Sequence, residues 1–524
     1  MMKKRSGASA IRTLAVLAGL MATVDVASAQ SAAPAAGQAA PSGTLTIGVP
    51  WDPGTMDPQM HRVRYTQIIS HAMRDKLVFQ APPGLVIGPL LLDTFTQVDD
   101  TTYDLKIRQG VHFHNGDELT SDDVVYTFTR LIDPATKSPR ATMGNWTSVD
   151  GFEATDRYTV RWKTKVPFGS PDEALRGFSF SSQEILHKAT YEKLTLEEAA
   201  KAPVVGVGPF KFADWVPDQH IIMDAFADYW QGTPGVERIV WRAIPEESSR
   251  VAELMAGSVD MIYPVSPDFV NQLRDAKMHL EVVPGTSARM LQMNVQDGSP
   301  FADPEVRRAM NMAINKQDLV DNLFQGLAIP YGQVAGVGQE GYVEGQDPFK
   351  FDPEAARAVL SKVTQPIELL TQQTNELPAE AIAEQLRSYG MNVTAVVIDN
   401  AAATKVSDDG AFDLLFYTAG FGGGDFNATY SNNFLCSRLD ANQVRTGFCN
   451  TDLDARFLAA RNERDPAARK AMIEGVVKSL TEEHMPWVPL FGQAEVWAMQ
   501  PYVEGFVGSS AGQMFDLHKV TIEK

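Results

Sequence analysis

The sequence lacks the short motifs that mark many enzyme and nucleotide sites. It has no GxxxxGK[ST] phosphate loop, no G-x-S-x-G nucleophile elbow, no HExxH metal pair and no CxxC motif. Acidic neighbours such as Asp122 with Asp123 point in different directions on a helix, which is typical of a solvated surface. We therefore expect no catalytic function and no cofactor.

Basic residues are also scarce. The 524 residues include 46 lysines and arginines against 65 aspartates and glutamates, a formal net charge of −19. A surface of this sign repels nucleic acid and anionic lipid, so we expect no nucleic-acid partner. The length of the chain favours two or more lobes over a single core.

Long apolar runs are missing as well. The run 14–24 is about a dozen residues long, whereas a helix that spans a bilayer needs about 20. A basic start before this run, and small residues at 27–29 after it, predict a signal peptide over 1–29. The Ala, Pro, Gly and Ser residues of 30–43 then predict a flexible linker. No cysteine lies near the cleavage site, so we expect no lipid-modified N-terminus. The mature protein would then be soluble and periplasmic.

Only two cysteines are present, Cys436 and Cys449. In an oxidising compartment, an even pair favours a disulfide over two free thiols. Closing a loop of this size would stabilise the fold by roughly 3 kcal/mol. We interpret the pair as a local structural link and not as a reactive site.

The strongest topological pattern lies between residues 366 and 399. A strand, an amphipathic helix ended by Gly390 and a second strand form a βαβ unit, which implies a parallel sheet. Residues 412–418 predict another buried strand, followed by the loop 419–427. Because ligands bind beyond the carboxyl ends of strands in open α/β sheets, this loop is the first candidate for a site.

Four sequence blocks occur in series along the chain and together resemble one known family. The blocks are IRQGVHFHNGDELTSDDVVYTFTRL at 107–131, VGVGPFKFADW at 205–215 with DYWQG at 228–232, ELMAGSVDMI at 253–262 and PFADPEVRRAMNMAINKQDLVDNLFQGLA at 300–328. They resemble solute-binding family 5, the substrate-binding subunits of peptide, nickel and opine ABC importers. Within this family, the chain resembles the dipeptide- and oligopeptide-binding proteins.

The resemblance implies an α/β fold of the periplasmic-binding-protein type, in its large type II variant. Two lobes would be joined by two crossover segments, expected near 288–294 and 486–492, and an extra subdomain would belong to lobe 1. Carried onto this chain, the parts are lobe 1 at 44–74, 206–288 and 487–524, the extra subdomain at 75–205 and lobe 2 at 290–486.

The resemblance also implies a function. The chain would capture short peptides between two closing lobes and deliver them to the permease of an ABC importer, as a monomer. An opine, a glutathione-like compound, an oligosaccharide or a chelated metal such as nickel stays open as the alternative ligand.

Two charged residues are candidates for holding a peptide. In dipeptide-type members, an aspartate 11 residues before the first disulfide cysteine pairs with the ligand's ammonium group, and Asp425 stands 11 residues before Cys436 here. The alternative is that Asp425 serves as a turn residue or helix cap. Arg289, at the start of a predicted crossover strand, is the candidate partner for the peptide carboxylate, provided that the strand register turns it toward the cleft.

Three aromatic residues, Trp51, Tyr417 and Phe421, are candidates for apolar walls of the cleft. For Tyr417, packing in the core is an equal alternative. His112 and His114 lie on one face of a predicted strand, but no cysteine or acidic cluster completes a coordination set there. We therefore expect no metal site.

Overall fold

The structure is a computed structural model that describes most of the chain. The described residues are 40–61, 64–81, 86–141, 146, 148–168, 171–179, 183–201, 204–420, 424, 426–440, 443–510 and 516–523. The predicted signal peptide, most of the linker, and the candidates Phe421 and Asp425 lie outside them. In this part of the chain, no helix has both the length and the apolar character needed to cross a bilayer.

The strands are distributed along the whole described chain. They are β1 (Thr44–Val49), β2 (Val78–Ala81), β3 (Val86–Pro89), β4 (Leu92–Gln97), β5 (Thr102–Ile107), β6 (Val149–Asp156), β7 (Thr159–Thr164), β8 (Phe210–Val216), β9 (His220–Ala225), β10 (Arg238–Ala243), β11 (Met261–Ile262), β12 (His279–Met293), β13 (Ala328–Pro330), β14 (Pro366–Thr371), β15 (Asn392–Val397), β16 (Leu414–Gly420), β17 (Trp487–Met499), β18 (Val503–Glu504) and β19 (Thr521–Ile522).

The helices lie between these strands, in places several in succession. They are α1 (Arg64–Met73), α2 (Ser121–Ile132), α3 (Pro171–Ser179), α4 (Lys188–Tyr191), α5 (Leu196–Lys201), α6 (Glu247–Met255), α7 (Pro267–Asp275), α8 (Pro304–Ala313), α9 (Lys316–Phe324), α10 (Pro353–Leu360), α11 (Glu376–Arg387), α12 (Asn400–Asp409), α13 (Asn427–Asn433), α14 (Ser437–Asp440), α15 (Thr451–Asn462) and α16 (Pro466–Lys478), with short 3-10 turns at Pro300–Ala302 and Gln373–Asn375 and a π-helix at Ser479–His484.

One large sheet connects distant parts of the chain. Its strand order is β15, β14, β16, β12, β17, β11, β1, β10, β9, β8, with β13 paired to β17. We call β1 with β8–β11 the first half-sheet and β14–β16 the second half-sheet. In the first, β1 runs parallel to β10 and β11, and in the second β14 runs parallel to β15 and β16. The expected α/β class is therefore confirmed.

The antiparallel strands β12 and β17 join the two half-sheets and are longer than the predicted crossover segments. They span 15 and 13 residues, because pairing continues from Gln292 opposite Trp487 to His279 opposite Met499. The predicted limits came from the family resemblance, and within β12 Pro284 and Gly285 interrupt the regular strand. The structure absorbs this interruption as a register shift between Pro284 and Ala288.

Separate hydrophobic cores support these parts. One packs on the first half-sheet around Leu45 and Trp241, and another lies among residues 77–207 beside a four-stranded sheet ordered β4, β5, β7, β6. Neighbouring residues of β12 serve two further cores, because Leu291 joins one and Met290 the other on the opposite face of the sheet. The residue limits of the predicted lobes stay a prediction.

Several local predictions are confirmed. Helix α2 begins with the capping box of Thr120 and Asp123, and α11 lies between β14 and β15 in the predicted βαβ unit. Gly390 follows α11 with a φ of +96°, a conformation that favours glycine. Cys436 and Cys449 form the expected disulfide, with their Cα atoms 4.7 Å apart.

Candidate functional site

The carboxyl ends of the parallel strands from both half-sheets converge on the middle of β12 and β17. In the second half-sheet, β16 ends with Gly420 opposite Ser287 of β12. In the first, β11 pairs Ile262 with Ala498 of β17, and the chain continues along β17, where Val265 N donates to Val496 O at 3.1 Å. We call residues 284–288 and 492–494 the crossing point. This convergence is where an α/β protein of this topology places a ligand.

Arg289 lies directly beside the crossing point. Its Nε donates to Asn375 Oδ1 at 3.0 Å and its Nη2 donates to Gln493 Oε1 at 3.3 Å. Asn375 comes just before α11, beyond the carboxyl end of β14, and Gln493 belongs to β17. Two amide oxygens from different elements therefore orient the half-buried guanidinium group, whose role in ligand binding stays a prediction.

Tyr417 points to the other side of the sheet. It lies opposite Met290, the neighbour of Arg289, and successive residues of a strand face opposite sides. Its ring packs against Trp487 with 5.6 Å between centroids, and burial raises the pKa of Tyr417. The structure thus places Tyr417 in core packing and does not bring it together with Arg289.

Trp51 lies on the first-half side, shortly after β1. Its ring meets that of Tyr263 edge-on at 6.2 Å, and Tyr263 stacks on Trp497 at 4.9 Å. The Tyr263 hydroxyl donates to Glu495 Oε2 at 2.8 Å. Together these residues form an aromatic row with a carboxylate beside it, which continues from Gln493 because alternate residues of β17 share a face.

The loop 51–61 that carries Trp51 is held by buried polar contacts. Arg74 Nη2 donates to Met56 O at 3.0 Å, and Asp52 Oδ2 accepts from Trp215 Nε1 at 2.8 Å. Fully buried Asp57 forms an ion pair with Arg130 of α2. The loop is therefore fixed from both the first half-sheet and the 77–207 core.

The predicted loop after β16 is only partly described. Strand β16 continues to Gly420, two residues further than predicted, because Ala419 and Gly420 still pair with Ala288 and Ser287. Beyond it, Gly424 has a φ of +70° and its carbonyl accepts from Glu340 N at 2.9 Å. Asp425 and Phe421 lie outside the described residues.

The two histidines of the first sequence block have structural surroundings. His114 Nε2 donates to Gly208 O at 2.9 Å, and burial lowers the pKa of His114 to about 4. His112 is exposed and pairs through its backbone with Glu118. Across the described ranges, no three His, Cys, Asp or Glu side chains are grouped as a metal ion requires.

Four residues at this site were missed by sequence reasoning: Tyr263, Asn375, Gln493 and Glu495. Tyr263 follows a strand of only two residues, which no periodicity could indicate. Gln493 and Glu495 lie beyond the predicted limit of the crossover segment. Asn375 carried a usable signal, since it follows the predicted strand of the βαβ unit at its carboxyl end.

Comparison with known proteins shows the family. Residues 86–441 match the bacterial extracellular solute-binding proteins, family 5 Middle. The glutathione-binding protein GsiB of Escherichia coli strain K12 is 26% identical over 467 residues, which cover 86% of this chain and 89% of GsiB.

Solved structures show the same fold. The periplasmic binding protein DppA from Helicobacter pylori, in complex with peptide STSA, has a TM-score of 0.74 at 24% identity and covers 92% of this chain and 98% of its own. HbpA2 from Haemophilus parasuis has a TM-score of 0.81 at 21% identity, with 92% and 100% covered. The expected periplasmic-binding-protein fold is confirmed, and the chain belongs to the bacterial extracellular solute-binding proteins of family 5, which serve ABC importers.

Proposed function

We propose that this protein captures a short peptide at the crossing point and delivers it to the permease of an ABC importer. The observation that carries the proposal is the position of Arg289 at the point where the carboxyl ends of both half-sheets converge. A planar guanidinium group binds a carboxylate through two parallel hydrogen bonds. Asn375 and Gln493 are neutral acceptors that orient this group without opposing its charge.

A peptide also has an ammonium group that needs a partner. We assign that role to Asp425, which follows β16 and stands 11 residues before the disulfide cysteine Cys436. Carboxylate and ammonium groups form the stronger, charge-assisted kind of hydrogen bond. Trp51 and Phe421 would supply apolar contacts to the peptide, with Tyr417 supporting the wall from the core.

The family supports a proposal for where and how the protein works. Its members are extracellular solute-binding proteins, and GsiB and DppA are both named as binding proteins. We propose that residues 1–29 direct export, that the mature protein works in the periplasm as a monomer, and that it performs no catalysis on its ligand.

Glutathione is the second candidate ligand. The observation that favours it is the similarity to GsiB, which is named for binding glutathione and aligns with 86% of this chain. Glutathione carries an ammonium group and two carboxylates, so Asp425 and Arg289 would hold it by the same chemistry.

The ligand can be identified directly. The protein is isolated from its host without added ligand, denatured, and the released small molecules are analysed by mass spectrometry. Recovery of peptides supports the proposal and recovery of glutathione supports the second candidate. Recovery of a sugar or a metal chelate with no peptide would show that the peptide assignment is wrong.

The ammonium anchor needs a separate test. Asp425→Ala should weaken the binding of a peptide with a free amino terminus and leave the weaker binding of its N-acetylated form unchanged. Calorimetry with both peptides measures the difference. Equal affinity of the variant and the parent for the free-amine peptide contradicts this role of Asp425.

A further inference from the structure

Two exposed turns from different parts of the fold meet in an ion pair. Arg464 Nη2 lies 2.6 Å from Asp100 Oδ1. Asp100 lies in the turn between β4 and β5, beside the 77–207 core, and Arg464 lies between α15 and α16, which pack beside the second half-sheet. The contact joins these regions away from β12 and β17, the strands that connect the half-sheets.

The backbone of the β4–β5 turn, which carries Asp100, is held by several hydrogen bonds. Val98 N donates to Thr102 O at 2.8 Å and Thr101 N donates to Asp99 Oδ1 at 2.8 Å. The Tyr103 hydroxyl, which belongs to a buried ring, donates to the carbonyl of Asp100 at 3.3 Å. The carboxylate of Asp100 therefore projects from a turn that is already closed on itself.

The opposite turn is equally well defined. Helix α15 ends before Glu463, and Asp465 caps α16 by accepting from Ala468 N at 2.7 Å. Asp465 N in turn donates to Glu463 Oε1 at 2.9 Å. Arg464 is thus held between two capped helix ends, so little backbone freedom is lost when its side chain meets a partner.

Arg464 lies among acidic residues of both turns. One turn carries Asp99 and Asp100, and the other carries Glu463 and Asp465 on either side of Arg464. If the charge of Arg464 were removed, two acidic turns would face each other and repel. Because the side chains of Arg464 and Asp100 are 72% and 68% exposed, salt must screen their attraction.

We propose that Asp100 and Arg464 form an electrostatic latch that holds the β4–β5 turn against the second half and favours a closed cleft. The inference rests on the proposed capture of a ligand between the two halves. It gives the 77–207 region a role in function, because this region supplies the side of the latch that reaches the second half.

The latch is tested on the ligand-free full-length mature protein by measuring the distance between two spin labels. Val166→Cys and Leu458→Cys place labels at exposed sites on either side of the pair, and both native cysteines are already joined in the disulfide. Pulsed electron resonance then gives the populations of short and long distances. Arg464→Glu should lower the ratio of short to long by about two- to fivefold, the range that exposed ion pairs support.

The decisive variant exchanges the charges. Asp100→Arg combined with Arg464→Asp should restore the parent's distance distribution. Lys201→Glu is the matched control, because Lys201 is equally exposed and pairs at 3.1 Å with Glu197 of its own helix. Reversing the charge of Lys201 should therefore leave the distribution of label distances unchanged. Unchanged distances in Arg464→Glu, or failure of the exchange to restore them, overturns the latch.

Salt gives a second readout. At about 1 M salt the screening length falls to about 3 Å, so the difference between the parent and Arg464→Glu should shrink clearly. A difference of the same size at low and high salt would show that the effect is not electrostatic and would contradict the proposal. Since no ligand is present in these measurements, their failure is separate from a failure to recover peptides by mass spectrometry.

Discussion

The segments that follow β1 and β16 are held by different interactions in the two halves of the molecule. On the first side, buried side chains such as Asp57 and Arg74 hold the loop 51–61 through ionic and hydrogen bonds. On the second side, a disulfide between Cys436 and Cys449 closes the segment that follows β16. The first side should therefore lose stability when a buried charge is removed or the pH changes. The second side should lose stability when the disulfide is reduced.

The largest loss of stability is expected when a buried ion pair of the first side is removed. Asp57→Ala leaves Arg130 buried without its partner, which should lower the free energy of unfolding by about 3–5 kcal/mol in urea denaturation. Asp104→Ala is the control, because its ion pair with Arg161 is partly exposed and should cost less than about 1 kcal/mol. Equal losses in both variants would show that burial of the Asp57 pair is not what holds this loop.

The next effect concerns pH. Burial raises the pKa of Asp75 to about 7, although Tyr229 and Trp230 donate to its carboxylate. The folded state therefore retains a proton that the unfolded chain loses near pH 4, so this group's contribution to stability falls as pH rises from about 4 to about 7.

Asp75→Asn removes that dependence. At pH 8 the variant should be more stable than the parent by up to about 4 kcal/mol, and at pH 4 the difference should vanish. Unfolding free energies measured across this range provide the check. A variant that is less stable than the parent at pH 8 would show that the ionised carboxylate is the favoured form.

A somewhat smaller loss of stability is expected when the disulfide of the second side is removed. Replacing both Cys436 and Cys449 by serine should lower the free energy of unfolding by about 3 kcal/mol, because the unfolded chain regains the freedom of the closed loop. The parent treated with a reductant should match the variant. If oxidised and reduced parent unfold at the same denaturant concentration, the disulfide does not support this side.

The smallest effect is expected on ligand affinity, when Arg289 at the site is replaced. Arg289→Gln should weaken the binding of a peptide recovered from the protein about ten- to hundredfold, the range for a hydrogen bond to a charged group. It should leave binding of the C-terminal amide nearly unchanged, since the amide has no carboxylate. Arg387→Gln, in an exposed network on α11, is the control. An unchanged preference for the acid form over the amide contradicts the carboxylate role of Arg289.

The sequence predicted the local elements well because their signals are local. The capping box of α2 and the βαβ unit from β14 to β15 depend on residues a few positions apart. The crossing strands were predicted from the family resemblance near 288–294 and 486–492, and β12 and β17 each extend several residues beyond one end of these limits. At the site, Arg289 was found from its expected strand, but Tyr263 and Glu495, 232 residues apart, meet only through folding.

By itself, the sequence predicted the α/β class, the disulfide and the family, because periodicity, cysteine content and ordered motifs can be read directly from the order of the residues. Only the tertiary structure decided that Arg289 and Tyr417 face opposite sides of the sheet, and that Asp100 meets Arg464. The physical reason is that strand register and the meeting of distant turns depend on how whole elements pack, and a shift of one residue reverses which side chains share a face.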